Sequence, residues 1–214
     1  MDFKALVTKA QEAGWASGLG DIESIRRQAA SLGFIDVATR RGDATVSVLR
    51  PVDPAAARPN SLSAVYGLGE QPLHTDGAHL PDPPDYVVLI AQNPSATATR
   101  LWRAPSVMRS QHPAALRHGM FLVRNGHDSF YAPAVVGARY RYDPGCMTAC
   151  DARARTIAQH FQNQLAKAIT YEWARSGQVL VIENRRTLHA RCAVAEDDLD
   201  RELTRIAFRV PEAM

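Results

Sequence analysis

A histidine and an aspartate stand one residue apart in the segment QPLHTDGAH, residues 71–79. Side chains of an extended chain alternate between two faces, so His74 and Asp76 would point to the same side. An imidazole and a carboxylate that converge in this way form either part of a metal site or a solvent-exposed pair in a turn. A third ligand elsewhere in the chain would decide between these two interpretations.

A candidate third ligand, His189, lies in the segment GQVLVIENRRTLHARCAV, residues 177–194, where an apolar strand and a polar turn precede a second extended piece. Two histidines and one carboxylate form the facial triad that binds non-haem Fe(II) and leaves coordination positions open. Zinc sites also use histidine and carboxylate ligands, so the triad alone does not fix the metal. The sequence therefore predicts that His74, Asp76 and His189 bind a catalytic metal, with Fe(II) favoured.

Three arginines follow the third ligand. Arg201 lies 12 residues after His189, and Arg205 and Arg209 follow at intervals of four. Residues four apart on a strand share a face, so these guanidinium groups would point to one side. A guanidinium binds a carboxylate through two parallel hydrogen bonds. Because iron with open positions commonly works with a 2-oxo acid, whose second carboxylate needs a cationic partner, the arginines predict an anchor for such an acid.

The elements that must position these residues follow from hydrophobic periodicity. Residues 2–15, 21–34 and 151–174 predict helices, and residues 106–120 predict helix on either side of Pro113. Strand patterns occur at 45–51, 73–79, 85–92, 99–105, 121–126, 129–137, 138–143, in both halves of 177–194, and at 202–211. Many short strands with few helices predict a mainly β fold, a barrel or double sheet with flanking helices. The regular strand–helix alternation of a parallel α/β sheet is absent.

The chain also resembles a known family. PLHTDGAH…PPDYVVLIAQ together with GQVLVIENRRTLHARCAV…DRELTRIAFR is similar to the Fe(II)/2-oxoglutarate-dependent dioxygenases of the taurine dioxygenase and clavaminate synthase-like superfamily, over roughly residues 45–210. The resemblance implies a double-stranded β-helix, or jelly-roll, core. It implies Fe(II) held by His74, Asp76 and His189, with 2-oxoglutarate and O2 as cosubstrates.

Further site residues follow from the same resemblance. Arg201, in DRELTR, matches the arginine that anchors 2-oxoglutarate, and Arg205 matches a second arginine that contacts either the cosubstrate or an acidic group of the substrate. A shifted alignment on TRIAFR would move these roles to Arg205 and Arg209, but the spacing from the distal histidine favours the first alignment. Thr99 resembles the threonine that helps to hold the cosubstrate, with Thr97 as the alternative.

The resemblance implies an oxygenase that hydroxylates, desaturates or cyclises a small anionic or amino-acid-like substrate, with natural-product biosynthesis as one setting. Halogenases of this group lack the metal-binding carboxylate so that halide can bind iron, and Asp76 therefore argues against halogenation. Two other classes stay open: a metal-dependent hydrolase or cupin-type isomerase that uses the same His/Asp/His site, and a binding module with a relict site.

Composition sets the remaining expectations. The 214 residues suit a single dioxygenase domain, with residues 1–44 as helical N-terminal support and 45–214 as the jelly-roll core with helical insertions. A net charge of +3 is too small to predict nucleic-acid binding. No signal-peptide or membrane-spanning pattern is present, and three cysteines fit a reducing compartment, so we expect a cytoplasmic protein. The expected partner is a small molecule; the oligomeric state stays open, with a homodimer as one alternative.

Overall fold

A computed structural model describes residues 1–40, 42–59 and 61–211 of the chain. The strands are β1 (Trp15–Leu19), β2 (Ile35–Val37), β3 (Val46–Leu49), β4 (Tyr86–Ala91), β5 (Ser95–Arg103), β6 (Met120–Arg124), β7 (Ser129–Pro133), β8 (Val135–Val136), β9 (Arg139–Tyr140), β10 (Met147–Ala149), β11 (Ile169–Trp173), β12 (Gln178–Glu183), β13 (Thr187–Arg191) and β14 (Leu203–Arg209). The helices are α1 (Phe3–Ala13), α2 (Ile22–Ser31), α3 (Leu62–Tyr66), α4 (Pro113–His118) and α5 (Ala152–Gln164).

Two antiparallel sheets pack against each other to form the core. The main sheet has the order β1-β12-β4-β14-β2, with β3 also paired to β14, and the smaller sheet has the order β11-β5-β13. A further sheet, β10-β6-β7, and the β8-β9 pair lie outside these two. The mainly β fold with flanking helices, built on a jelly-roll core, is confirmed.

Strand β4 is buried on both faces. Val87 and Leu89 pack with Leu101 of β5 between the two sheets. Val88 and Ile90, which point the other way, pack in a cluster that contains the apolar faces of α1 and α2. A strand covered on both sides needs apolar residues at every position, which explains why YVVLIA is continuous rather than alternating.

The N-terminal region contains strands as well as the expected helices. Helix α1 begins after Asp2, whose side chain accepts a hydrogen bond from the Ala5 N–H at 3.0 Å, and ends at Gly14 with a left-handed φ of 100°. The following Trp15–Leu19 segment pairs with β12, so residues 1–44 contribute sheet as well as helical support. Its composition, WASGL, has low strand propensity, and tertiary pairing decides its conformation.

The helix predicted over residues 151–174 is too long. Helix α5 ends at Gln164, a short 3-10 turn covers Leu165–Lys167, and Ile169–Trp173 forms β11. Isoleucine, threonine, tyrosine and tryptophan favour strands, and this segment pairs with β5. Tyr171 and Trp173 of this strand pack between the two sheets, whereas Ile169 is exposed.

Several smaller elements also differ from the sequence-based prediction. Residues 129–137 form two strands, β7 and β8, instead of one, and helix α4 starts at Pro113 after a 3-10 turn at Val107–Arg109. Helix α3 and strand β10 were not predicted. Within the described ranges, no helix has the length and hydropathy needed to cross a membrane.

Candidate active site

The three predicted metal ligands come together. One nitrogen of each histidine and one carboxylate oxygen of Asp76 all lie within 4.8 Å of one another. The backbones of His74 and His189 form an antiparallel bridge, with N–H···O distances of 2.9 and 3.0 Å, and their rings are 4.4 Å apart between centroids. Because β13 pairs with β5, this bridge fixes the cluster to the smaller sheet.

The segment that carries His74 and Asp76 is a turn, so the strand predicted at 73–79 is wrong. After the bridge at His74 the chain turns, and Gly77 adopts a left-handed φ of 69°; a β-carbon there would lie 2.7 Å from a Pro84 side-chain atom. Asn184 holds this turn, because its amide donates to the carbonyls of Asp76 at 3.0 Å and Pro84 at 2.8 Å and accepts from the Asp76 N–H at 3.1 Å. The two ligands converge as expected, but through a turn.

The protonation of the cluster suits a divalent metal. Burial, together with the nearby His74, lowers the pKa of His189 to about 3, so this imidazole is neutral at neutral pH. Burial alone would raise the pKa of Asp76, but Arg205 and the histidines outweigh it and hold that pKa below its usual value. The Nδ1 of His74 lies 3.0 Å from the Pro72 carbonyl, a contact that the Nδ1–H tautomer satisfies, leaving Nε2 as the ligand atom.

The cluster also contains a buried polar atom without a hydrogen bond to the described residues. The Nδ1 of His189 is buried and has no hydrogen-bond partner among the described residues. Imidazole nitrogens and a carboxylate oxygen are donors that Fe(II) accepts in a facial arrangement. The residues present therefore fit an iron ion bound by His74, Asp76 and His189.

Arg205 contacts the carboxylate ligand directly. Its Nη1 lies 3.0 and 3.3 Å from the two oxygens of Asp76, its Nη2 donates to Thr39 Oγ1 at 2.8 Å, and its Nε donates to Ser47 Oγ at 3.2 Å. Arg205 shares its face of β14 with Leu203, which packs between the two sheets. The guanidinium is thus largely buried and lies against the candidate metal site.

Arg201 is a buried cation that forms no direct ion pair with the described residues. Its side chain lies just before β14, is 6% exposed, and no carboxylate of the described residues lies within the 4.0 Å of an ion pair. Burial, with Arg191 nearby, lowers its pKa to about 10, so the group stays charged at neutral pH. A buried guanidinium in this state is suited to bind the carboxylate of a ligand.

Two polar residues orient Arg201. Its Nε donates to Ser95 Oγ at 3.1 Å, and the Ser95 hydroxyl donates to Asp198 Oδ2 at 2.7 Å. The same Asp198 oxygen accepts the Thr97 N–H at 2.8 Å. This chain of hydrogen bonds fixes the guanidinium and leaves its Nη atoms without a hydrogen bond to the described residues.

The two candidate threonines lie on the same face of β5. Ser95, Thr97 and Thr99 alternate with outward residues, in line with Leu101, which is the cross-strand partner of His189. The hydroxyl of Thr99 accepts a hydrogen bond from Trp173 Nε1 at 3.1 Å, and that of Thr97 accepts the Ala195 N–H at 3.4 Å. Both threonines are buried, and along β5 both lie between Ser95 and the residue that pairs with His189. Their positions do not distinguish them, so the preference for Thr99 stays a prediction.

Arg209 and His79 lie at the margin of the candidate site. Arg209 pairs with the half-exposed Asp82 at 2.8 Å, and His79 is half-buried with its ring Nε2 2.8 Å from the Thr39 carbonyl. In the shifted alignment Arg205 would anchor the cosubstrate, and Arg209, at the protein surface, would take the second role. The choice between the two alignments stays a prediction.

Comparison with known proteins gives the fold. No protein-family model matches the chain, and no curated protein matches it in sequence. An asparagine oxygenase, solved with Fe(II), 2S,3S-3-hydroxyasparagine and succinate, superposes with a TM-score of 0.75 at 18% identity, over 96% of this chain and 77% of that one. The chain has the fold of an iron oxygenase.

Two further oxygenases share this fold. OrfP, a non-haem iron oxygenase solved with Fe, succinate and (3S)-hydroxy-L-Arg, gives a TM-score of 0.69 at 20% identity, over 96% of this chain and 78% of OrfP. PvcB is an Fe, α-ketoglutarate-dependent oxygenase from an isonitrile synthetic pathway. It gives a TM-score of 0.65 at 18% identity, over 97% of this chain and 80% of PvcB. All three neighbours are longer than this chain.

Some residues of the site carried no interpretable signal in the sequence. Thr39, Ser47, Ser95 and Asp198 hold the two arginines, yet hydroxyls and carboxylates of this kind are common in turns and strand ends. Asn184 had a weak signal, because it stands five residues before His189 in the quoted motif. Only the folded arrangement identifies these contacts.

Proposed function

We propose that the protein is an Fe(II)- and 2-oxoglutarate-dependent oxygenase that acts as a single domain. The buried cluster of His74, Asp76 and His189 in an iron-oxygenase fold carries this proposal. Arg201 supports it, because a buried guanidinium that forms no direct ion pair with the described residues suits the second carboxylate of a 2-oxo acid. A hydrolase or isomerase with the same ligands would have no need of such an anchor.

Each residue has a defined task in this proposal. His74, Asp76 and His189 would hold Fe(II). Bound iron would supply the redox chemistry by which O2 and 2-oxoglutarate oxidise a C–H bond of the substrate. Arg201, oriented by Ser95, would bind the far carboxylate of 2-oxoglutarate.

The surrounding residues would orient the cosubstrate and limit access of water. Thr99 would place a hydroxyl beside the cosubstrate, as the family resemblance implies. The apolar residues between the two sheets, among them Leu101 and Trp173, would exclude water from this side of the site.

The proposed substrate is a small amino-acid-like molecule. Structures of two neighbours contain hydroxylated amino acids, 3-hydroxyasparagine in the asparagine oxygenase and hydroxy-L-Arg in OrfP. Hydroxylation is the proposed reaction, with desaturation and cyclisation as variants of the same oxidation. We propose a small-molecule partner for this site and a cytoplasmic location.

The test of the proposed function uses anaerobically purified protein. We expect it to bind about one Fe(II) per chain and, on addition of 2-oxoglutarate, to develop a visible metal-to-ligand charge-transfer band. On exposure to O2, 2-oxoglutarate should be converted to succinate, with higher rates in the presence of one member of an L-amino-acid panel that includes asparagine and arginine. Failure to develop the band, combined with zinc-supported hydrolysis of ester or amide substrates, would show a different enzyme class.

A further prediction concerns halide. Because Asp76 would take the coordination position that a halide needs on the iron, wild-type protein in chloride buffer should give oxygenated or desaturated products only. Mass spectrometry of the products would reveal chlorine by its isotope pattern. A chlorinated product from the wild-type protein would contradict this use of Asp76.

A further inference from the structure

We infer that Arg205 is a positioning residue for the metal-binding carboxylate: it holds the Asp76 side chain, and is itself held by Thr39 and Ser47. The family resemblance implies that Arg205 contacts the cosubstrate or an acidic group of the substrate, and neither role involves the metal ligand. The inference rests on the proposed function only in taking His74, Asp76 and His189 as the metal site.

The hydrogen bonds of the guanidinium carry the inference. Nη1 contacts both oxygens of Asp76, at 3.0 and 3.3 Å, while Nε and Nη2 donate to Ser47 and Thr39 at 3.2 and 2.8 Å. A guanidinium has five N–H donors, and all three of its nitrogens are engaged with protein groups. Arg201, by contrast, makes no Nη hydrogen bond to the described residues, so its Nη atoms can donate to a ligand carboxylate.

The position of Arg205 is fixed by the sheet. It is the cross-strand partner of Ser47 on β3 and of Leu89 on β4, so its backbone is paired on both sides. Its side chain is about one-fifth exposed, and that of Asp76 is nearly buried. The Arg205–Asp76 contact therefore joins the metal-binding turn to the centre of the main sheet.

Holding a ligand carboxylate in this way affects metal binding. A carboxylate can give one oxygen to a metal and keep the other on a hydrogen-bond donor, which limits its rotation. Groups that orient metal ligands typically change metal affinity 10- to 100-fold when they are removed. Asn184 already fixes the backbone of Asp76, so Arg205 supplies the corresponding restraint on the side chain.

The connection between β2 and β3 takes part through Thr39. Its hydroxyl accepts from Arg205, and its carbonyl oxygen is 2.8 Å from the ring Nε2 of His79, which ends the metal-binding turn. Thr39 therefore touches two groups that neighbour the metal ligands. Loss of its hydroxyl should loosen Arg205 and give a smaller effect than loss of the guanidinium.

Co(II) alone is the probe that tests this inference. Its affinity would be measured anaerobically by visible absorption for wild type, Arg205→Met, Arg205→Lys, Thr39→Val and the control Arg209→Met, which alters an arginine four residues further along the same strand. We expect Arg205→Met to weaken Co(II) binding about 10- to 100-fold, with Arg205→Lys and Thr39→Val weakening it less. Arg209→Met should match wild type, and metal-saturated Arg205→Met should keep its 2-oxoglutarate affinity within about threefold.

The outcomes separate the possible roles. Wild-type Co(II) affinity in Arg205→Met would overturn the inference, and so would a selective loss of 2-oxoglutarate affinity at saturating metal. If Arg205→Met unfolds at a lower temperature than wild type, Arg205→Lys and Thr39→Val decide the result by the same titration. Because Co(II) binding requires no turnover, a wild-type protein that fails to consume 2-oxoglutarate would disprove the proposed function without touching this test.

Discussion

Replacing His189 or His74 by alanine is expected to abolish metal-dependent turnover of 2-oxoglutarate while leaving the fold largely intact. Each substitution removes one of three ligands, so metal affinity should fall by more than about 100-fold, since loss of an orienting contact alone costs 10- to 100-fold. The backbone pairing of β13 with β5 does not depend on the imidazole. The measurements are Co(II) titration, succinate formation and far-UV circular dichroism.

A matched control is His127→Ala, which removes an exposed histidine next to the turn that joins β6 and β7. This variant should bind metal and form succinate like the wild type. Retained turnover in either His74→Ala or His189→Ala, with a native circular dichroism spectrum, would show that the cluster is not the metal site.

The Arg201→Leu variant should bind 2-oxoglutarate about 10- to 150-fold more weakly than the wild type. A carboxylate bound to a buried guanidinium gains charge-assisted hydrogen bonds worth roughly 1.5–3 kcal/mol, and each 1.4 kcal/mol is about a factor of ten in affinity. Leucine keeps the apolar contacts of the stem and removes the charge. Anaerobic titration of the charge-transfer band at saturating Fe(II) measures the change directly.

The control for Arg201 lies further along the same segment of chain. Arg209→Leu breaks an ion pair with the half-exposed Asp82 and should leave 2-oxoglutarate affinity unchanged. If Arg205→Leu, measured at saturating metal, weakens 2-oxoglutarate while Arg201→Leu titrates like the wild type, then the shifted alignment is correct and Arg201 is not the anchor.

The clustering of the candidate metal ligands could be predicted from the sequence because metal binding restricts residue type. Few side chains bind a divalent metal, so His74, Asp76 and His189 stood out, and the structure brings them within 4.8 Å. The continuous apolar run of β4 was equally informative, since burial on both faces leaves no room for polar residues. In both cases a strong physical requirement acts on residue type at each position.

Other features depended on partners that are distant in the chain. Ile169–Trp173 followed a helical pattern until its pairing with β5 determined a strand, and Trp15–Leu19 became a strand only beside β12. The contact between Arg205 and Thr39 joins residues 166 positions apart. No local pattern encodes such a contact. The sequence therefore predicted that Arg205 contacts the cosubstrate or substrate, and gave no sign of its contacts with Asp76 and Thr39.

Arg201 lies outside strand β14, on the connection that follows β13, and Ser95 and Asp198 orient its guanidinium. His74 and His189, by contrast, are fixed by backbone pairing to the smaller sheet, and Arg205 is fixed by pairing within the main sheet. The proposed anchor of the cosubstrate and the proposed metal ligands are therefore held by different parts of the chain. For the proposed oxygenase, substitutions in this connection would therefore change 2-oxoglutarate affinity without altering the strands that hold His74 and His189.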